Sequence, residues 1–159
     1  MTVTQPYFAL SAHVDAPVHT VFEYCRDPRK LHDGDPIEVI DAQVTEKGPG
    51  TTAQLRYPAP FPLDEDVAFT FTEEVPDERI VFEAVPTLWM RGHHAPHHGF
   101  PPDTFIWTFM PEDGGTRIGV EVRVPDVTLS YRLGRKSMIA RVQARLDRVV
   151  DHIEHPAAA

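Results

Sequence analysis

The stretch Leu129–His155, LSYRLGRKSMIARVQARLDRVVDHIEH, decides the fold. Leu129, Leu133, Ile139, Val142, Leu146, Val149 and Ile153 recur mostly three or four residues apart, with a slip near Lys136. That is the apolar stripe of an amphipathic helix. Val124-Pro125-Asp126 leads into it, Asp126 or Thr128 can cap it, and Pro156 stops it. Gly134, costing about 1 kcal/mol relative to Ala, marks a bend or a close approach of another element. About 27 residues at 1.5 Å each give a helix of roughly 40 Å. A helix that long in a small domain needs one layer of sheet curved around it, and the upstream chain supplies the strands.

Tyr7–Asp15 alternates, with Phe8, Leu10, Ala12 and Val14 on one face and Tyr7, Ser11 and His13 on the other. Asp15-Ala16-Pro17 then changes the period, and Val18, Val21, Phe22 and Cys25 predict a short helix. It ends at Asp27, the residue before a proline, and Pro28–His32 supplies one more turn. Further strands follow. Ile40, Ala42 and Val44 form an apolar row in 37–46, and Ala53, Leu55 and Tyr57 form the next in 51–57. Val67, Phe69 and Phe71 come after a proline-rich connection, then Phe82 and Ala84 in 80–85. Phe105, Trp107 and Phe109 precede the Glu112-Asp113-Gly114-Gly115 hairpin signal, and Ile118, Val120, Val122 and Val124 follow it. Seven strands, each with one polar face and joined mainly by hairpins, predict an antiparallel sheet covered on one side.

The 159 residues predict a single domain without internal repeats. No segment is long and apolar enough to span a membrane, and the N-terminus has no secretory signal pattern. The lone Cys25 rules out an internal disulfide and agrees with a reducing cytoplasm. A formal net charge of −9 argues against nucleic-acid binding. The terminal helix is different. It carries six Lys/Arg residues against Asp147, Asp151 and Glu154, a net of +3, which leaves −12 elsewhere. This is either a solvated face or a site for an anionic ligand.

Two stretches then identify a family. Asp15-Ala16-Pro17-x-x-x-Val21-Phe22-x-Tyr24-x-x-Asp27-Pro28-x-Lys30-Leu31 resembles the opening signature of the SRPBCC (START/Bet v 1-like) superfamily, in particular its polyketide cyclase/dehydrase and lipid-transport group. Gly114-Gly115-Thr116-Arg117 is similar to that group's last hairpin. The resemblance implies an α+β helix-grip fold, a seven-stranded curved antiparallel sheet wrapped around the C-terminal helix, with two short helices after the first strand. It also implies a cavity between sheet and helix for a hydrophobic or aromatic small molecule. Relatives carry ligands, cyclise polyketides or act as Hsp90-activator-like interaction modules. There are two departures: His32-Asp33-Gly34-Asp35-Pro36 where many relatives have a tryptophan and a proline, and a long segment from Pro86 to Pro102.

The expected ligand-binding residues are Leu55, Tyr57, Phe69, Phe71, Phe82 and Trp107 on the inner rows, with Trp89 in the neighbouring loop. Tyr131, Arg135 and Met138 join them in the half of the helix that borders the cavity by resemblance. The run Gly92-His93-His94-Ala95-Pro96-His97-His98-Gly99 is a metal-binding segment short of a third ligand, a loop over the cavity mouth, or a solvated loop whose histidines make ordinary hydrogen bonds. No metal set or catalytic residue is assigned. With no nucleophile triad, phosphate loop or dinucleotide fingerprint, no cofactor is expected. A homodimer is left open.

Overall fold

The computed structural model describes residues 4–57, 64–90, 93–94 and 102–156, without the side chains of 64–65, 86–90, 93–94 and 130. The elements in chain order are β1 (Gln5–Val14), α1 (Val18–Cys25), α2 (Pro28–Leu31), β2 (Glu38–Gln43), β3 (Thr52–Tyr57), β4 (Asp64–Val75), β5 (Arg79–Met90), β6 (His93–His94), β7 (Asp103–Glu112), β8 (Gly115–Val124) and α3 (Leu129–Glu154). Seven strands form one antiparallel path, β1-β8-β7-β5-β4-β3-β2, and the two-residue β6 pairs with β5. This is the helix-grip arrangement. The β7–β8 hairpin turns through Asp113 and Gly114, both at positive φ, as the Asp-Gly signal requires.

The inner face is built from the expected rows. Phe105 pairs with Val122, Trp107 with Val120, Phe82 with Phe105 and Phe69 with Ala84, and all of these are buried. Helix α1 buries Val21, Phe22 and Cys25, with Phe22 edge-on to Phe109 at 5.8 Å. Asp27 caps α2 by accepting a hydrogen bond from the Arg29 amide at 2.9 Å.

Two strands depart from strict alternation, each at a bulge. In β1 the register shifts between Pro6 and Phe8, so Tyr7, expected on the outer face, is buried beside Phe8. In β2 the shift falls between Val39 and Asp41. Val39 then takes the inward position expected of Ile40, which is exposed, as is Val44 beyond the strand's end. A third correction concerns β5, which runs five residues past the expected end and pairs Pro86 with Val67 and Trp89 with Asp64. Trp89 therefore belongs to a strand rather than to a loop.

The helix stripe also needs correction in its first half. Val142, Leu146 and Val149 are buried and Ile139 and Ile153 partly so, but Leu129 is 71% and Leu133 77% exposed. At 100° per residue Leu133 lies about 180° around the helix from Val142, whereas Tyr131, Arg135 and Met138 lie within about 40°. The slip near Lys136 is thus a change of face. Tyr131 and Met138 continue the packed stripe toward the N-terminus.

Candidate functional site

A half-open pocket lies between the sheet and α3, lined by Tyr57, Val67, Phe69, Ala84, Asp103, Phe105, Met138 and Arg141. Its floor crosses four neighbouring strands: Tyr57 on β3, Val67 and Phe69 on β4, Ala84 on β5, Asp103 and Phe105 on β7. Met138 and Arg141 of α3 form the roof. About 100 Å³ is open to a water-sized molecule. Ligand pockets more often have about 300–1,000 Å³, so this one has room for a ring-sized group only.

Beside the aromatic floor the rings pack on one another. Phe82 stacks on Phe105 at 5.1 Å and on Phe71 at 5.2 Å, and Phe69 lies 5.1 Å from Phe82. Among the expected site residues, Tyr57, Phe69 and Met138 line the pocket. Phe71 and Phe82 are buried beside it on the same sheet face, and Leu55 and Trp107 are fully enclosed in the core and off the lining. The Trp89 side chain lies outside the described residues. Tyr131 reaches the pocket indirectly, its hydroxyl donating to Asp103 Oδ1 at 2.5 Å. Burial first, then that bond to Asp103, raises the Tyr131 pKa and keeps the phenol protonated. Tyr7 donates its hydroxyl to the Tyr131 carbonyl. Arg135 is exposed, with its Nε donating to the Tyr7 carbonyl at 3.2 Å. Of the histidine run, only the backbone of His93 and His94 is described, as β6; His97 and His98 lie outside the described residues. Among the described residues no three His, Cys, Asp or Glu side chains are grouped to hold a metal ion.

A second polar cluster backs the Tyr57 wall. Gly34, at φ +83°, turns the chain so closely under α3 that a Cβ there would sit 3.0 Å from Arg148 Cδ. The next residue, Asp35, is thereby delivered to the helix. Its carboxylate accepts from Arg145 Nε at 2.7 Å and pairs with Arg148. Arg145 is 3% exposed, so one residue of the basic helix face is a buried charge rather than a solvated one. Burial lowers its pKa, and the neighbouring Tyr57 hydroxyl acts in the opposite sense. His32 is buried edge-on to Phe69 at 5.4 Å, its Nδ1 3.9 Å from Asp35 Oδ2, and neither ring nitrogen has a hydrogen-bond partner among the described residues.

Burial, then the Arg145 and Arg148 guanidiniums, holds the His32 pKa well below the ordinary imidazole value. As pH falls below about 6.5 the unfolded chain binds a proton that the folded one refuses, so this residue withdraws stability on the acid side. The expected NMR result is a His32 imidazole signal that stays at its neutral position from about pH 8 down to about pH 5.5. A midpoint near that of a free histidine would contradict the buried placement.

Residues 5–154 match the family described as polyketide cyclase/dehydrase and lipid transport. The chain belongs to that family. Solved structures agree at the level of fold. One is protein Ms6760 from Mycobacterium smegmatis, at 20% identity and TM-score 0.65, covering 99% of this chain and 92% of its own. A second, a solution structure of a protein from Arthrobacter aurescens, has 18% identity and TM-score 0.70, covering 94% and 87%. The di-domain ARO/CYC StfQ from the steffimycin biosynthetic pathway has 16% identity and TM-score 0.67, and covers 96% of this chain but 51% of its own. The chain thus spans about half of that di-domain protein. No curated protein sequence matches. Among the described residues no helix of this family member is long and apolar enough to cross a membrane.

Five lining residues were not singled out from sequence as site residues: Val67, Ala84 and Phe105, which stood on predicted inner rows without being assigned to the site, and the polar Asp103 and Arg141. Asp103 begins a strand next to a proline-rich segment, where alternation has no preceding residues to set it. Arg141 lies about 100° from the centre of the packed stripe, on the flank from which a long side chain reaches over a pocket.

Proposed function

We propose that this family member binds a hydrophobic or aromatic small molecule, polyketide- or lipid-like, with a ring seated in the pocket between sheet and helix. The observation that carries this reading is the lining. Tyr57, Phe69 and Phe105 supply ring faces, Met138 an adaptable roof, and Asp103 and Arg141 the few polar groups that orient a ligand. Family membership supports it.

One contact favours a second reading, an aromatase/cyclase. The Tyr131 hydroxyl and the Asp103 carboxylate meet at 2.5 Å against the pocket wall. A protonated phenol beside a carboxylate is a donor and an acceptor for moving a proton at a bound polyketide. The fold shared with half of a di-domain ARO/CYC is compatible with it.

Titration with the neutral fluorescent probe N-phenyl-1-naphthylamine tests the pocket, and native mass spectrometry of the purified protein tests for a co-purifying ligand. Saturable one-to-one probe binding is expected. Met138→Trp, which fills the roof, should weaken it at least about tenfold while the protein stays folded. Probe binding unchanged by that substitution would remove the pocket from the reading.

A further inference from the structure

The pocket is electrically lopsided. Its negative group, Asp103, stands on β7 and is hydrogen-bonded by Tyr131. Tyr57 stands on β3, three strand spacings away, roughly 14 Å along the sheet at about 4.8 Å each. At the Tyr57 end, where Glu65 stands opposite Tyr57 in the β3–β4 register, the described charged side chains of the helix are cationic. The Arg141 guanidinium lies over the Tyr57 ring, 5.3 Å from its centroid, and no carboxylate pairs with it among the described residues. Behind Tyr57, Arg145 and Arg148 share the single carboxylate of Asp35, and His32 beside them is neutral. From Leu129 to Arg141 the helix contains no acidic residue at all.

Resting on the pocket reading above, we propose that the ligand is an organic acid. Its apolar ring lies on Phe69 and Phe105, and its anionic group is held by Arg141 at the Tyr57 end, away from Asp103. A planar guanidinium lying over a ring keeps its edge donors for a carboxylate or an enolate. The overall charge of −9 opposes the approach of any anion, so the preference has to arise locally at this residue. It also gives the ligand one orientation, because the reversed pose would set anion against Asp103.

Naphthalene-2-carboxylate and naphthalene-2-carboxamide separate charge from shape, since they match in size and differ in ionisation. Calorimetric titration of the wild-type chain should show the carboxylate binding at least about tenfold more tightly. The gap should narrow as ionic strength rises from about 0.05 to about 0.5 M. Arg141→Gln should bring the two affinities within about threefold by weakening the carboxylate alone, and Arg141→Lys should keep part of the preference. Equal affinities in wild type, or a preference that survives Arg141→Gln, would overturn the acid assignment while leaving the pocket reading intact. If neither compound binds, the pocket reading falls and the acid assignment falls with it.

Discussion

Asp35→Ala is expected to destabilise the fold by about 3–5 kcal/mol in urea denaturation, the cost of removing one partner from a buried ion pair. The reason lies in where the charges sit. The side chains of Asp35 and Arg145 are 1% and 3% exposed, so without the carboxylate the Arg145 guanidinium has neither water nor a counter-ion. The Arg148 side chain, 28% exposed, can turn toward solvent, and His32 is already neutral and gains nothing. A double variant, Asp35→Leu with Arg145→Met, removes both buried charges together and should recover most of the loss, since apolar groups of similar volume often replace a buried pair at little cost. Should Asp35→Ala alone cost less than about 1 kcal/mol, the pair would be behaving like an exposed surface contact and the buried cluster would be wrong.

That cluster shows what a sequence exposes and what it conceals. The polar run His32-Asp33-Gly34-Asp35-Pro36 was visible as a departure from relatives, and Arg145 as part of a basic face. Their meeting was not visible, because it depends on Gly34 folding the chain under a helix more than a hundred residues away. Arg145 nonetheless lies only about 60° from Val142 around the helix, on the packed side. A helical wheel carries that signal even when a charge count assigns the residue to solvent.

The fold was legible for the same reason that its details were not. Alternation names a strand's faces only while the register runs without interruption. The bulges at Tyr7 and Ile40 each insert one residue and reverse the faces locally, with no turn residue to announce it. Pro86 reads as a strand end because proline removes a ladder donor, yet here it is carried inside β5 opposite Val67. For the pocket, the aromatic rows supply Tyr57, Phe69 and Phe105 of the floor. They could not separate rings that face the space, such as Phe69 and Phe105, from rings that close the core beside them, such as Phe71 and Phe82. That distinction depends on where helix and sheet diverge, which no single strand encodes.

Trp107 makes the distinction measurable. It sits mid-strand on β7, with Ile80 and Val120 as its cross-strand neighbours, and is 1% exposed. Its row was expected to line a cavity, yet the pocket wall ends at Phe105, two residues away, and the indole is closed in by the core. Trp107→Ala should therefore cost about 3–5 kcal/mol, as the truncation of a large buried ring does. Trp107→Phe should cost much less. The indole Nε1 has no hydrogen-bond partner among the described residues, and an orphaned buried donor carries a penalty of about 1–3 kcal/mol that phenylalanine removes while keeping most of the ring contact. Because the ring does not face the pocket, Trp107→Phe should also leave the affinity for N-phenyl-1-naphthylamine within about twofold of wild type, whereas a ring that touched the probe would contribute up to about 1.5 kcal/mol, roughly tenfold. A stable Phe variant with tenfold weaker binding would place the indole in the ligand's path; an Ala variant as stable as wild type would mean that the core is not closed around it.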